Sequence, residues 1–229
     1  MKRAVARAGS AAMEMDITLL RNDAGQPRSA DIADLGARVI VIALFTLMAI
    51  RIGSHFLATG RLTGLLLLAS ETLVVVLTVL RRGTSEVDRS YRARLLTAFS
   101  IMGPVLVRPA TVTPLAPELA TVVLSAIGLS VVIAGKLSLG RSFGLMPANR
   151  GVVSSGLYRL VRHPIYLGYL ITHSGFVAAN PTLWNVVMLV GADVALMWRA
   201  VCEEQTLGQD PSYREYLQVV RWRVVPGVF

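Results

Sequence analysis

Apolar residues fall along this chain in long runs, separated by short segments in which arginine, proline and glycine collect. The first two runs cover residues 35–57 and 62–80, with a short connection at 58–61. A shorter run at 95–107 contains Gly103-Pro104, which predicts a kinked, tilted or partly inserted helix. Pro109, Pro114 and Pro117 mark a turn region, and a fourth run follows at 118–139. Residues 164–178 and 182–201 form two more runs, joined by the tight turn Asn180-Pro181, and read as a helical hairpin. A hydrocarbon core about 30 Å thick takes roughly 20 helical residues to cross, so the runs predict membrane-spanning helices. The expectation is an all-α integral membrane protein of about six transmembrane helices, ending in the hairpin.

Composition agrees. Apolar residues make up 54% of the 229 and charged residues only 16%, which excludes an ordinary soluble domain. The net charge of +9 comes almost entirely from arginine. These arginines lie between apolar runs rather than on one basic face, so lipid headgroups account for them and nucleic acid does not. Arg81, Arg82, Arg89, Arg92 and Arg94 share one connection; Arg141, Arg150, Arg159 and Arg162 share the glycine-rich segment 140–162. The positive-inside rule puts both on the cytoplasmic side, with residues 1–34 and the C-terminus. The opposite connections hold little beyond Arg61 and Arg108. Residues 1–34 lack an apolar signal-peptide core and read as a cytoplasmic tail. The organisation expected is therefore a tail at 1–34, transmembrane helices at 35–139 and a functional core at 140–229. The location expected is a bacterial inner (cytoplasmic) membrane.

Other residues narrow the chemistry. Cys202 is the one cysteine, so no internal disulfide forms. His55, His163 and His173 are scattered and no C-x-x-C occurs, so no metal site is expected. Arg51 and His55, near the end of the first run, are placed to snorkel. Glu71 lies mid-run, where a carboxylate is either functional or a hydrogen-bonded packing residue. Trp184, Trp198 and Trp222 suit an interfacial belt. His173 and Asn180 are expected to satisfy hairpin backbone. Ser142, Ser154 and Ser155 have no partner base at recognisable spacing.

The segment "GLYRLVRHPIYLGYL", residues 156–170, places cations where the chain enters the membrane. Proline is tolerated in a first helical turn, so His163-Pro164 marks a helix start. Free N–H groups and the dipole at that start, with Arg159, Arg162 and His163, suit a carboxylate or phosphate, or simple headgroup anchoring. The other hairpin arm ends in "WRAVCEEQTL", carrying Arg199, Glu203 and Glu204. Arg199 and Glu203 are four apart and can pair on one helix face. Hairpin geometry returns this end beside His163. Cation-favouring and anion-favouring groups then meet at the rim of an apolar pocket, a combination suited to a zwitterionic, positively charged cofactor.

With the Asn180-Pro181 turn and the later Tyr213 and Tyr216, these elements resemble the isoprenylcysteine carboxyl methyltransferase family, whose relatives include phospholipid N-methyltransferases. The resemblance covers roughly residues 135–229. It implies S-adenosylmethionine bound in a cytoplasmic pocket between the final helices and the C-terminal segment. By position, Arg150, Gly151, Val152, Val153, Tyr158, His163, Pro164, Ile165 and Tyr166 would line the cofactor site. Glu203 would contact the cofactor as a catalytic residue, and Arg199 would orient the methyl acceptor. Gly168 would permit close helix approach, and Glu204 would support the site. The acceptor implied is an amphiphilic or lipid-like small molecule, with no obligate protein partner. A carboxylate acceptor needs no general base, because it is already ionised at neutral pH, whereas an amine does. Gly156-Leu157 stands where family members often have Gly-Pro.

Two other readings stay open. The ending "YREYLQVVRWRVVPGVF" also resembles NADPH-dependent sterol and steroid reductases, but Ile165 and Tyr169 replace residues common in that family. A non-catalytic transporter would use Glu71, Lys136 and Asp193 as a polar path.

Overall fold

A computed structural model of the chain describes residues 29–80, 91–139 and 152–229, and all regular elements among them are helical. They are α1 (Ser29–Thr59), α2 (Thr63–Leu80), α3 (Tyr91–Leu106), α4 (Glu118–Leu139), a 3-10 turn (Gly156–Arg159), α5 (Pro164–Ala179), α6 (Leu183–Leu207) and α7 (Pro211–Val219). A single parallel bridge joins Val161 to Trp222. The chain divides into two compact units, Met1–Ala43 and Leu44–Phe229. Of the first, only the opening turns of α1 are described, and the features below lie in the second.

Among the described residues, three helical stretches are long and apolar enough to cross a membrane: Val39–Thr59 of α1, α4 and α6. The apolar part of α2, Thr63–Leu73, is shorter. Helices α3 and α5 have 16 residues each, a length of about 24 Å. The all-helical expectation therefore holds for the described residues, while three of the six expected spans meet the length requirement. Two boundaries differ from expectation. Helix α1 starts at Ser29, so residues 29–34 of the expected tail are helical. Helix α6 continues to Leu207, beyond the end of its apolar run, because no helix breaker precedes Gly208. The Gly208 amide then donates to Glu204 O at 2.8 Å.

Helical periodicity sorts α6 into two faces. Leu183, Val187, Val190, Val194 and Trp198 are exposed, and Asn185, Leu189, Ala192, Leu196 and Ala200 are buried. An exposed row of large apolar side chains at three- and four-residue spacing is the surface a helix presents to lipid.

Small residues set the closest contacts. Helices α4 and α5 meet along Gly128, Gly168, Gly175 and their neighbours, and a Cβ added at Gly168 would stand 2.8 Å from Gly128 O. Without a hydrophobic drive between helices in lipid, such near-backbone contact is what lets dispersion hold them together. Gly103 plays the same part for α3 on α6, where a Cβ would lie 2.6 Å from Met188 O. Pro104 falls in the last turn of α3, which runs through it as one helix.

Two asparagines tie the hairpin tip to the connection after α3. Asn185 Oδ1 accepts from the Arg108 amide at 2.9 Å, and its Nδ2 donates to Arg108 O and Asn180 O. Asn180 Oδ1 accepts from the Ala110 amide at 3.0 Å. Asn180 thus satisfies backbone, as expected. His173 does not: its Nδ1 lies 2.6 Å from Asp193 Oδ1.

Candidate functional site

Proline at the first position of α5 leaves His163 as the N-cap, with its backbone in a non-helical conformation and no capping hydrogen bond from its ring. The segment before it is held by the chain end. Arg162 and His163 amides donate to Trp222 O and Arg223 O at 2.9 and 2.7 Å. Tyr216 of α7 donates its hydroxyl to Tyr158 O at 2.7 Å. Gly156 takes a φ of +58, a region that favours glycine, and starts the 3-10 turn that buries Tyr158. Burial pushes the Tyr216 phenol up to about 12 and raises those of Tyr158 and Tyr213, so these hydroxyls stay protonated.

The two adjacent glutamates in the last turns of α6 go to different partners. Glu204 is buried among cations. Arg162 Nη1 lies 3.2 Å from its Oε2, and Arg223 donates from Nε to the same oxygen at 2.9 Å. Arg162 also donates to Val220 O and Leu217 O, locking the C-terminal segment onto the start of α5. Glu203 faces the hairpin. Its Oε1 accepts from Tyr166 Oη at 2.8 Å and from Arg199 Nε at 3.0 Å. Its Oε2 lies 3.6 Å from His163 Nδ1, the one described partner of that oxygen.

His163 stands between the two acids. Its Nε2 is 3.4 Å from Glu204 Oε1, yet that nitrogen is buried without an aligned hydrogen bond. The imidazole stacks on Tyr166 with centroids 5.2 Å apart, and the Arg199 guanidinium sits 5.7 Å from the same phenol ring. Residues 163, 166, 199 and 203 thus form one cluster from two helices that are antiparallel by the hairpin.

The anion that the start of α5 was expected to attract is supplied by the chain itself. Arg162 and His163 are met by Glu204, and Pro164 contributes no N–H. The amides of Tyr166 and Leu167 donate to His163 O. An external anion there has little left to bind.

The other sequence-derived site residues lie as follows. Tyr158 is buried beneath α7. Val152 packs against the Tyr213, Tyr216 and Val220 cluster, and Val153 is half-buried. Pro164 and Ile165 turn toward α4, where a Cβ on Gly135 would touch both. Arg150 and Gly151 lie outside the described residues. Arg223 is the residue that sequence reasoning missed. Its carboxylate partner is 19 positions away and reaches it only through the bridge at Trp222, so no helical spacing announces the pair.

Chemically, the cluster offers a carboxylate oxygen with remaining acceptor capacity, a buried imidazole and a guanidinium, all beside the Tyr166 ring. A search of curated proteins finds no match to the chain. Residues 117–210 match the family model described as phospholipid methyltransferase, which groups with the isoprenylcysteine carboxyl methyltransferase-like membrane methyltransferases. That segment runs from the start of α4 to the N-cap of α7 and contains the whole His163–Tyr166–Arg199–Glu203 cluster. The resemblance read from the sequence is therefore matched over residues 135–210, while Tyr213 and Tyr216 lie beyond the match.

Proposed function

We propose that this chain is a membrane-embedded, S-adenosylmethionine-dependent methyltransferase acting on an amphiphilic or lipid-like acceptor. The observation that carries this reading is the approach of His163 Nδ1 to Glu203 Oε2, 3.6 Å apart although 40 residues separate them. The family match over residues 117–210 supports methyl transfer as the reaction type.

The donor set fits the cofactor. It combines a sulfonium, an ammonium and a carboxylate, and when bound it supplies an activated methyl group. Glu203 Oε2 has capacity for the cationic part, and His163, met by Glu204 through Nε2, faces that oxygen with Nδ1. Tyr166 holds Glu203 in place through its hydroxyl. Tyr158 and residues 150–153 would complete the wall.

Arg199 would orient the acceptor. Its guanidinium is buried and already aligned by Glu203, so it meets an acceptor carboxylate without reorganising. Such an acceptor needs no base, and the chain's task reduces to alignment and exclusion of water. Glu203 faces one positive charge fewer once the methyl group has left, which favours product release. The site would open at the cytoplasmic face of a bacterial inner membrane, with both termini on that side. The reading calls for no nucleic acid and no obligate protein partner.

Isothermal titration of purified protein in detergent with S-adenosylhomocysteine tests the donor site. Mass spectrometry for acceptors that gain one methyl group tests the reaction. Absence of binding, together with NADPH consumption in the same preparation, would replace this reading with the reductase.

A further inference from the structure

The end of the bundle opposite His163 carries a groove that methyl transfer does not use. It has a volume of about 650 Å³ and lies between the last turns of α1 and the connection after α3. Its polar lining holds two guanidinium groups, Arg51 and Arg108, with His55 and Ser54, and no acidic residue. Leu47, Ala58 and Pro109 form its apolar walls. The family match begins at residue 117, so the groove stands outside it.

The basic groups are held in place rather than dangling. Arg51 donates from Nη2 to Val105 O at 3.1 Å, while its Nε is buried with no hydrogen-bond partner. His55 Nε2 is likewise buried without one. The Arg108 backbone is clamped by Asn185, and its guanidinium sits 4.6 Å over the Trp184 ring. Trp184 donates its Nε1 hydrogen to Leu106 O. Arg61 adds a further positive charge that acts on His55.

The level follows from the hairpin. Arg108 and Ala110 are bonded to Asn185 and Asn180 at its tip. The 16 residues of α5 separate that tip from His163 by about 24 Å, close to the thickness of a hydrocarbon core. The groove therefore sits at the other membrane face. Next to it on α1, Ile50 and Leu57 are 62% and 85% exposed. Cations at that level, an indole beside them and an exposed apolar helix face below match a phosphate with acyl chains.

We propose that this groove binds the phosphate of an anionic glycerophospholipid, with the acyl chains lying along the exposed face of α1. A phosphate brings several acceptor oxygens to a groove that offers donors and no acid. The apolar walls and the adjoining apolar face favour a lipid over a free phosphate ion.

Native mass spectrometry of the full chain, loaded with equal amounts of phosphatidylglycerol and phosphatidylcholine in detergent, tests this. The expected result is one retained phosphatidylglycerol, preferred at least about tenfold over phosphatidylcholine. Arg108→Gln, at an exposed position, and Arg51→Gln/Arg108→Gln lower that retention about tenfold or more, the effect of one lost charge-assisted hydrogen bond. Arg221→Gln, exposed and near the His163 end, leaves it unchanged. Equal retention of both lipids, indifference to Arg108→Gln, or displacement by inorganic phosphate alone overturns the proposal. Binding of S-adenosylhomocysteine, measured on the same samples, stays as in the parent chain, which separates this site from the methyltransferase reading.

Discussion

Glu204 Oε2 and Arg223 Nε stand 2.9 Å apart, and through that bond the last turn of α6 holds the C-terminal segment against the start of α5. Arg162 shares the same carboxylate oxygen at 3.2 Å. Glu204→Ala leaves two guanidinium groups facing a buried gap, a change that costs about 3–5 kcal/mol when a buried pair loses one partner. Arg223 is partly exposed and can turn to water, so the lower end of that range is expected. Thermal unfolding in detergent reads the loss, and Arg223→Ala produces a smaller drop than Glu204→Ala.

Glu203 is tied instead to Tyr166, Arg199 and His163, buried side chains of the hairpin, and not to the chain end. Glu203→Gln abolishes S-adenosylhomocysteine binding in calorimetry. It also takes the carboxylate from the buried Arg199 guanidinium, so a drop in unfolding temperature accompanies the loss, and binding is compared below that transition. Tyr166→Phe removes the hydroxyl that donates to Glu203 Oε1. A hydrogen bond to a charged group contributes about 1.5–3 kcal/mol, so binding weakens by roughly tenfold or more. Unchanged affinity in Tyr166→Phe would mean that the position of Glu203 is fixed without it.

Arg199 tests the division of labour. Arg199→Ala lowers turnover by about a hundredfold, the scale of one lost electrostatic contact to the reacting group. Affinity for S-adenosylhomocysteine changes by less than about fivefold, because Tyr166 and His163 still hold Glu203. Arg199→Lys keeps the charge and loses the planar fork, so it restores part of the turnover. Loss of donor binding in Arg199→Ala with normal turnover in Glu203→Gln would reverse the two roles.

The sequence carried the parts of this site that depend on helical spacing. Arg199 and Glu203 pair at four residues, and the Asn180-Pro181 turn brings them to His163. Gly168 was legible for the same reason, since a glycine in an apolar run signals a close neighbour. Hydrophobicity alone misjudged the end of α6, because Glu203 to Leu207 are polar or mixed and still helical. The partner of Glu204 was not legible at all: Arg223 arrives through the bridge between Val161 and Trp222, a contact that no periodicity encodes. Nor did spacing show that Glu204 neutralises the cations at the start of α5, which made an external anion look more welcome there than it is.

Glycines separate packing from propensity. Gly168→Ala forces a Cβ to within 2.8 Å of Gly128 O on α4, a backbone atom with no room to move. Overpacking of that kind costs about 1–3 kcal/mol. Gly191 lies in α6 with no atom within 4 Å of an added Cβ. Gly191→Ala instead stabilises, by about 0.5–1 kcal/mol, through helix propensity. Opposite shifts in unfolding temperature for the two alanine variants are the expected outcome, and shifts of the same sign would remove close packing as the role of Gly168.

Lys136 is buried with its Nζ 3.5 Å from Ser70 O and 5.1 Å from the Tyr169 ring, and Glu71, one residue after Ser70, is buried as well. The two groups act on each other electrostatically, and His173 acts on Glu71 ahead of Lys136. Lys136→Met leaves Glu71 with His173 as the stronger of its two basic neighbours, whereas Glu71→Gln removes the acid that acts on the buried Lys136. Each alone therefore destabilises, by up to about 3–5 kcal/mol. Replacing both removes the desolvation of both charges along with their attraction, and the double variant is expected within about 1 kcal/mol of the parent chain. That non-additivity, measured as a double-mutant cycle on thermal unfolding, identifies Glu71 as a structural counter-ion. A double variant that stays folded and binds S-adenosylhomocysteine but no longer methylates would assign the pair to the acceptor instead.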